Sequence, residues 1–174
     1  GAPLLYAMLY MLDLLSLDDL KDLRKLGSNT PGHPEITTPG VDMATGPLGQ
    51  GIASAVGMAI AERYLNATIN NKLINHYTYV LCGDGDLMEG VSYEALSLTS
   101  RLRLNKLIIL YDYNNITLDG NLSDSNEEDV ITRFKALNFN ILIVNDGESI
   151  LEIDKAISKA KQSTMPSIII VKTV

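Results

Sequence analysis

A single cysteine, Cys82, stands in this chain of 174 residues, so no internal disulfide can form. Its place inside an apolar run reads as a small core residue in a reducing, cytoplasmic setting. Basic residues are also scarce: 14 Lys and Arg against 21 Asp and Glu give a formal charge of −7, which argues against nucleic acid or an anionic membrane as partner. Long hydrophobic runs are missing too. The longest, residues 3–12, is too short to cross a bilayer and lacks the basic flank of a secretory signal. What remains, 46% hydrophobic and 20% charged residues, is the composition of one globular domain with a sizeable core and no internal boundary. Residue 1 opens in an apolar helical pattern and the chain closes on a strand pattern, so truncation at both ends is expected.

The most informative stretch runs from Gly83 to Ile116. It opens with Gly-Asp-Gly-Asp-Leu-Met-Glu-Gly and closes with Tyr-Asp-Tyr-Asn-Asn-Ile. Each cluster follows a β-branched, apolar run without Gly or Pro, residues 77–82 and 106–111, which predicts buried strands. Both clusters therefore fall at strand carboxyl ends, where open parallel sheets bind ligands. Asp84 and Asn114 offer oxygens to a hard cation, and the glycines let backbone N–H groups approach an anion, so a Mg²⁺ carrying a diphosphate suits both.

Other readings of these letters fail or fall short. A dinucleotide fingerprint from Gly83 would need glycine at Met88, and no glycine loop closes in Gly-Lys-Ser/Thr as a phosphate-binding loop requires. A calcium loop from Asp84 would need an oxygen side chain at Met88. Two ordinary turns after two strands would explain the letters without any chemistry. The arrangement that matches is the thiamine diphosphate signature, Gly-Asp-Gly followed by Asn-Asn, with 28 residues between Gly85 and Asn114.

Around this stretch the chain alternates. Helical patterns are predicted over residues 1–15 and 18–26, the latter with Leu20, Leu23 and Leu26 on one face. Residues 28–42 hold Pro31, Pro34 and Pro39 among Gly32 and Gly40, which predicts a loop of defined path with His33 at its middle. Such a histidine is by itself more often an idle solvated ring than a catalytic one, although rigid loops also carry chemistry and the motifs around it favour the second reading. Residues 45–67 join a glycine turn (Gly46, Gly49, Gly51) to a helix of small residues that reads as buried. A helix over 89–104, a helix ending near Leu137, a strand over 140–144, a helix over 148–162 and a strand over 167–172 follow. The expected fold class is α/β: a doubly wound, mostly parallel sheet with helices on both faces. His76 reads as exposed.

Together these segments resemble the thiamine diphosphate-binding domain of the transketolases over nearly the whole length. The resemblance is carried by LGSNTPGHPE, TTPGVDMATGPLGQGIASAVGMAIAE, YTYVLCGDGDLMEG, SYEALSL, LIILYDYNNITLDG and AKQSTMPSIIIVKT. Thr-Pro-Gly-His-Pro-Glu followed by Gly-Pro-Leu-Gly-Gln-Gly is specific to this branch. It implies a single cofactor-binding domain over 1–174, a fragment of a longer enzyme and inactive alone. The activity implied is transfer of a two-carbon ketol unit from a ketose phosphate to an aldose phosphate, in the pentose phosphate pathway. The cofactors implied are thiamine diphosphate and Mg²⁺, with Ca²⁺ or Mn²⁺ as substitutes.

Residue by residue, the resemblance implies that Asp84, Asn114 and the Ile116 carbonyl ligate the metal. Gly85 would give a backbone N–H to the diphosphate, Gly46 and Leu48 would approach the cofactor rings, and Leu118 would pack on them. Glu89 belongs to the cofactor set near the interface with a second cofactor-binding domain. His33 would act on the sugar. Sugar phosphates and the second subunit of a homodimer are the partners implied, with neither nucleic acid nor membrane. Tyr113, where many members carry an acidic or small polar residue, is a departure without expected consequence. Dihydroxyacetone synthase and phosphoketolase remain alternatives within the branch, and a noncatalytic metal- or nucleotide-binding module outside it; the last leaves the His33 loop and the Gly46 turn without purpose.

Overall fold

A computed structural model describes residues 1–69, 72–117 and 120–173. Its contacts gather into two compact units, Gly1–Pro47 and Leu48–Val174. The division falls inside the glycine turn, where no change of composition marks it.

The first unit is small. Helix α1 (Ala2–Met11) carries Pro3 in its first turn, where a missing N–H costs nothing. It buries Tyr6 and Leu9 against Leu15 and Val41. Helix α2 (Leu17–Lys21) opens on a reciprocal cap, in which the Ser16 hydroxyl accepts from the Asp19 N–H (3.1 Å) and the Asp19 carboxylate from the Ser16 N–H (2.7 Å). It is shorter than the leucine spacing predicts. Arg24 turns left-handed (φ 65°) and gives its N–H to the Thr30 carbonyl at 2.8 Å, so the helical ladder ends and Leu26 is left in solvent. The Pro/Gly segment then follows a fixed path: the Tyr6 hydroxyl donates to the Pro31 carbonyl (2.7 Å) and Thr38 Oγ1 to the Asn29 carbonyl (2.7 Å).

The second unit is built on a four-stranded parallel sheet. Its strands are β1 (Thr78–Cys82), β2 (Leu107–Tyr113), β5 (Asn140–Val144) and β6 (Ser167–Lys172), in the order β1-β2-β6-β5. Continuous apolar runs suit strands covered on both sides. Strand β1, expected to be buried, instead leaves Tyr79 and Leu81 exposed, because it is an edge strand and α7 (Ile150–Lys161) packs on β5, β6 and β2. One face of the central pair packs Leu107, Ile109, Tyr111, Ile168 and Ile170 under helices α3 (Gln50–Thr68), α5 (Gly90–Leu102) and α6 (Val130–Ala136). The other packs Ile108, Ile169 and Val171 under α7. Helices thus lie on both faces, as the alternation predicts.

Three details differ from that reading. Helix α3 is buried along one stripe only, Ile52, Ala55, Val56, Ala59 and Glu62, while Gly57 and Ala61 are exposed; its small residues fit one close neighbour rather than an enclosing core. A short helix α4 (Asp84–Met88) separates β1 from α5, started by Asp86, whose carboxylate accepts the Gly83 N–H at 3.1 Å. The polar stretch after β2 forms a two-stranded antiparallel ribbon, β3 (Ile116–Thr117) with β4 (Gly120–Asn121). Asn115 at φ 58° turns the chain into it, a conformation asparagine tolerates better than most residues.

Candidate functional site

Cys82 at the end of β1 lies beside Tyr111 in β2, so the residues that follow each strand emerge next to one another at the carboxyl edge of the sheet. Helix α4 packs against both β2 and β3. That contact places Asp84 near the turn that carries Asn114 and Ile116.

Asp84 is 5% exposed. The Tyr111 hydroxyl donates to its Oδ1, while its Oδ2 is buried with no hydrogen-bond partner. Burial raises the Asp84 carboxyl above the usual carboxylate range, the Tyr111 hydrogen bond opposes this, and the charge of Asp112 adds to the rise. A buried acceptor left unpaired is costly, so this oxygen is the most conspicuous chemical feature of the edge. Asn114 is bound into its own turn: its Oδ1 accepts the Ile116 N–H at 2.9 Å and its Nδ2 donates to Asp112 Oδ2 at 3.3 Å. An amide oxygen has two lone pairs, so one remains for a further partner. Among the described residues no three His, Cys, Asp or Glu side chains gather as a cation site. The oxygen set here is one carboxylate, one amide and whatever main-chain carbonyl joins them.

Glycines keep the ground around Asp84 clear. A side chain on Gly85 would press on Leu48 Cδ1 at 3.2 Å, and Leu48 itself is half exposed. Gly49 turns left-handed (φ 76°), and a Cβ there would fall 2.8 Å from both Glu89 Cβ and Ser92 Oγ. The turn before α3 can therefore lie directly on Glu89 only with glycine at this position. Asp86 ties the pieces together, since its Oδ1 accepts the Gly49 N–H at 3.1 Å while Oδ2 holds Gly83. The Ser92 hydroxyl donates in turn to the Asp86 carbonyl at 2.5 Å. Cys82, buried behind them, has its thiol pushed up first by desolvation and then by Asp86 and Asp84, which leaves it an inert core group.

In the first unit His33 is exposed and lies over Gly46. A Cβ at Gly46 would sit 2.7 Å from His33 Nδ1 and 2.8 Å from Cγ, so the glycine makes room for the ring. The Thr45 N–H holds the two strands of this loop together by donating to the Pro34 carbonyl at 3.2 Å. His76 is exposed, as expected.

Leu48, Asp84, Gly85 and Glu89 thus come together in the second unit with Asn114 and Ile116 beside them, and His33 meets Gly46 in the first. Leu118 lies outside the described residues. Two residues went unnoticed in the sequence. Asp86 could have been found from the cap spacing, an acid three residues after Gly83. Tyr111 carries no such signal, because a tyrosine in an apolar strand reads as core.

The parallel sheet, with an unpaired carboxylate oxygen and bare glycines at its carboxyl edge, defines an α/β domain whose candidate ligand site lies at the carboxyl ends of its strands. All residues from 1 to 174 match the family model described as transketolase, thiamine diphosphate binding domain. The chain belongs to that family. It is 55% identical to the transketolase of Bacillus subtilis over 179 aligned residues, an alignment covering 99% of this chain and 27% of that protein. Among solved structures, transketolase from Leishmania mexicana superposes with a TM-score of 0.91 at 49% identity, covering 98% of this chain and 26% of that one. Transketolase from Pichia stipitis, described in complex with sedoheptulose 7-phosphate, superposes at 0.87 with 44% identity, covering 96% of this chain and 26% of that one. The chain thus spans about a quarter of the length of the relatives it matches.

Proposed function

We propose that this chain is the diphosphate- and metal-holding part of an enzyme that moves a two-carbon ketol unit from a ketose phosphate to an aldose phosphate. The observation that carries the reading is Asp84 Oδ2, a buried carboxylate oxygen without a partner at the carboxyl edge of the sheet. Mg²⁺ wants such hard oxygens in an octahedron. Asp84 Oδ2, the free lone pair of Asn114 Oδ1 and the Ile116 carbonyl supply up to three, and diphosphate oxygens and water the rest. Ca²⁺ and Mn²⁺ share this taste for oxygen.

Gly85, cleared of any side chain, offers its N–H to the diphosphate. Leu48 forms an apolar wall beside it, with Gly46 and Leu118 assigned to the same cofactor and Glu89 to the edge nearest the partner subunit. Bound thiamine diphosphate supplies the nucleophilic carbon that receives the ketol unit. His33 orients and hydrogen-bonds the sugar, in keeping with a ring that is exposed and seated on glycine. Sugar phosphates as substrates accord with the sugar phosphate on the Pichia stipitis relative. A second subunit accords with the apolar exposure of Val91, Tyr93 and Leu98 along α5. Among the described residues no helix is long and apolar enough to cross a membrane, and the cytoplasm is proposed on the single buried thiol.

Calorimetry on the complete protein that carries this chain tests the reading. Thiamine diphosphate with Mg²⁺ should bind, Mg²⁺ with ATP should not, and a ketose-to-aldose assay should show turnover. Preference for the nucleotide would return the chain to a noncatalytic binding module. His33→Ala should lower kcat and kcat/KM together by roughly tenfold, the value of one hydrogen bond to a developing charge, with cofactor affinity near normal.

A further inference from the structure

The oxygens of Asp84 have unequal surroundings. Oδ1 receives the Tyr111 hydroxyl, whereas Oδ2 receives nothing. Tyr111 is 1% exposed, it is fixed in the sheet opposite Cys82 and Ile170, and its ring packs against that of Tyr113 at 5.6 Å. A buried phenol in a rigid strand keeps one direction for its O–H. A phenol, with an ordinary pKa of about 10, is a donor near neutral pH.

We propose that Tyr111 is a positioning residue for the cation: by engaging Oδ1 it makes Asp84 a one-oxygen ligand through Oδ2, and so favours Mg²⁺ over Ca²⁺. The inference rests on reading Asp84 as a cation ligand and goes beyond it. A carboxylate free on both sides can chelate with both oxygens, a mode Ca²⁺ accepts readily because it takes about 6–8 oxygens at about 2.3–2.6 Å. Mg²⁺ demands a near-ideal octahedron at about 2.0–2.1 Å, which two oxygens of one carboxylate fit badly. A donor clamped on one oxygen therefore penalises the two-oxygen calcium mode and, by orienting Oδ2, favours the one-oxygen magnesium mode. Without the hydroxyl, Asp84 would regain the freedom to chelate and would lose the orientation of Oδ2.

The test uses Tyr111→Phe in the complete protein, with Tyr111→Leu as a second variant lacking the hydroxyl. Binding of Mg²⁺ and of Ca²⁺ is titrated separately by calorimetry at saturating thiamine diphosphate, and the cation-free protein is melted alongside. Mg²⁺ affinity should fall about tenfold, as for loss of a hydrogen bond to a charged group, while Ca²⁺ affinity holds or rises. The ratio of the two affinities should thus move at least about tenfold toward Ca²⁺. A purely structural hydroxyl would lower the melting temperature and weaken both cations equally, and that result overturns the proposal, as does an unchanged ratio. Asp84→Asn run in parallel separates the levels. Unimpaired Mg²⁺ binding by Asp84→Asn would sink the metal reading itself, whereas its loss beside an unchanged ratio in Tyr111→Phe would sink only the role of Tyr111.

Discussion

Asp84 and Glu62 are two carboxylates buried to the same degree, 5% and 4% exposed, at opposite edges of one sheet. Glu62, on α3, receives Lys106 Nζ at 2.5 Å just before β2 begins, and Lys106 also donates to Asn75 Oδ1 at 2.6 Å. Asp84, just after β1 ends, has only the Tyr111 hydroxyl. Burying a charge is expensive unless it is paired. The amino edge offsets that cost with an ion pair inside the chain, whereas at the carboxyl edge Asp84 Oδ2 has no hydrogen-bond partner, in keeping with the cation site proposed above. Equal burial with unequal pairing separates a carboxylate that holds the fold from one that the proposed function assigns to a cation.

The largest effect should come from Asp84→Ala. Even indirect supports of a metal ligand are worth about 10–100-fold in affinity, so loss of the ligand itself should weaken Mg²⁺-dependent thiamine diphosphate binding by more than about 100-fold. Asn114→Ala should follow the same course less severely. Cofactor-free Asp84→Ala should melt close to the parent, because it sheds a buried charge with no ionic partner but strands the buried Tyr111 hydroxyl that donates to it. Parent-like binding by this variant at limiting Mg²⁺ would erase the contrast.

Next comes Lys106→Met, which strands the Glu62 carboxylate. Breaking a buried pair from one side costs about 3–5 kcal/mol, and since the Lys106 side chain is 21% exposed the lower figure, about 3 kcal/mol, applies. Denaturant unfolding reads it. Cation and cofactor affinity of the folded fraction should match the parent, and a parallel loss of both would mean that the two edges are not independent.

Much of this was readable in the letters, for identifiable reasons. A run such as LIILY has no alternative to a covered strand, whereas the run ending in YVLC forms an edge strand with Tyr79 and Leu81 exposed; the bounds of β5 and β6 match their expected residues. The glycines at 49 and 85 were legible because positive φ and close approach leave few other residues possible. Helix α2 is shorter than its leucine spacing predicts because that spacing says nothing of Thr30, whose carbonyl captures the Arg24 N–H from six residues away. The ribbon after β2 depends on the left-handed turn at Asn115, and Asn-Asn alone does not select it. Tyr111 and Lys106 carry no signal in the sequence for one reason: their partners, Asp84 and Glu62, are 27 and 44 residues distant, and pairing at that range is a product of the fold.

The smallest effect should be that of Glu62→Gln, and its size probes which half of the amino-edge pair sets the cost. Glutamine keeps the length of the side chain and an acceptor oxygen, so Lys106 Nζ retains a hydrogen bond there and a second one to Asn75 Oδ1. The ammonium that loses its counter-charge also keeps a fifth of its side chain in water. Removing the glutamate charge should therefore cost about 1 kcal/mol, near the net value of a single hydrogen bond, against about 3 kcal/mol for Lys106→Met. The same reasoning fixes the sign of the coupling. In the double variant Glu62→Gln/Lys106→Met no charge is stranded, so its cost should fall below the sum of the two single costs, by more than about 0.5 kcal/mol. Equal single costs, or strict additivity, would mean that the buried carboxylate is not what makes the pair necessary, and the distinction between a charge paired inside the chain and one left for a ligand would have to rest on Asp84 alone.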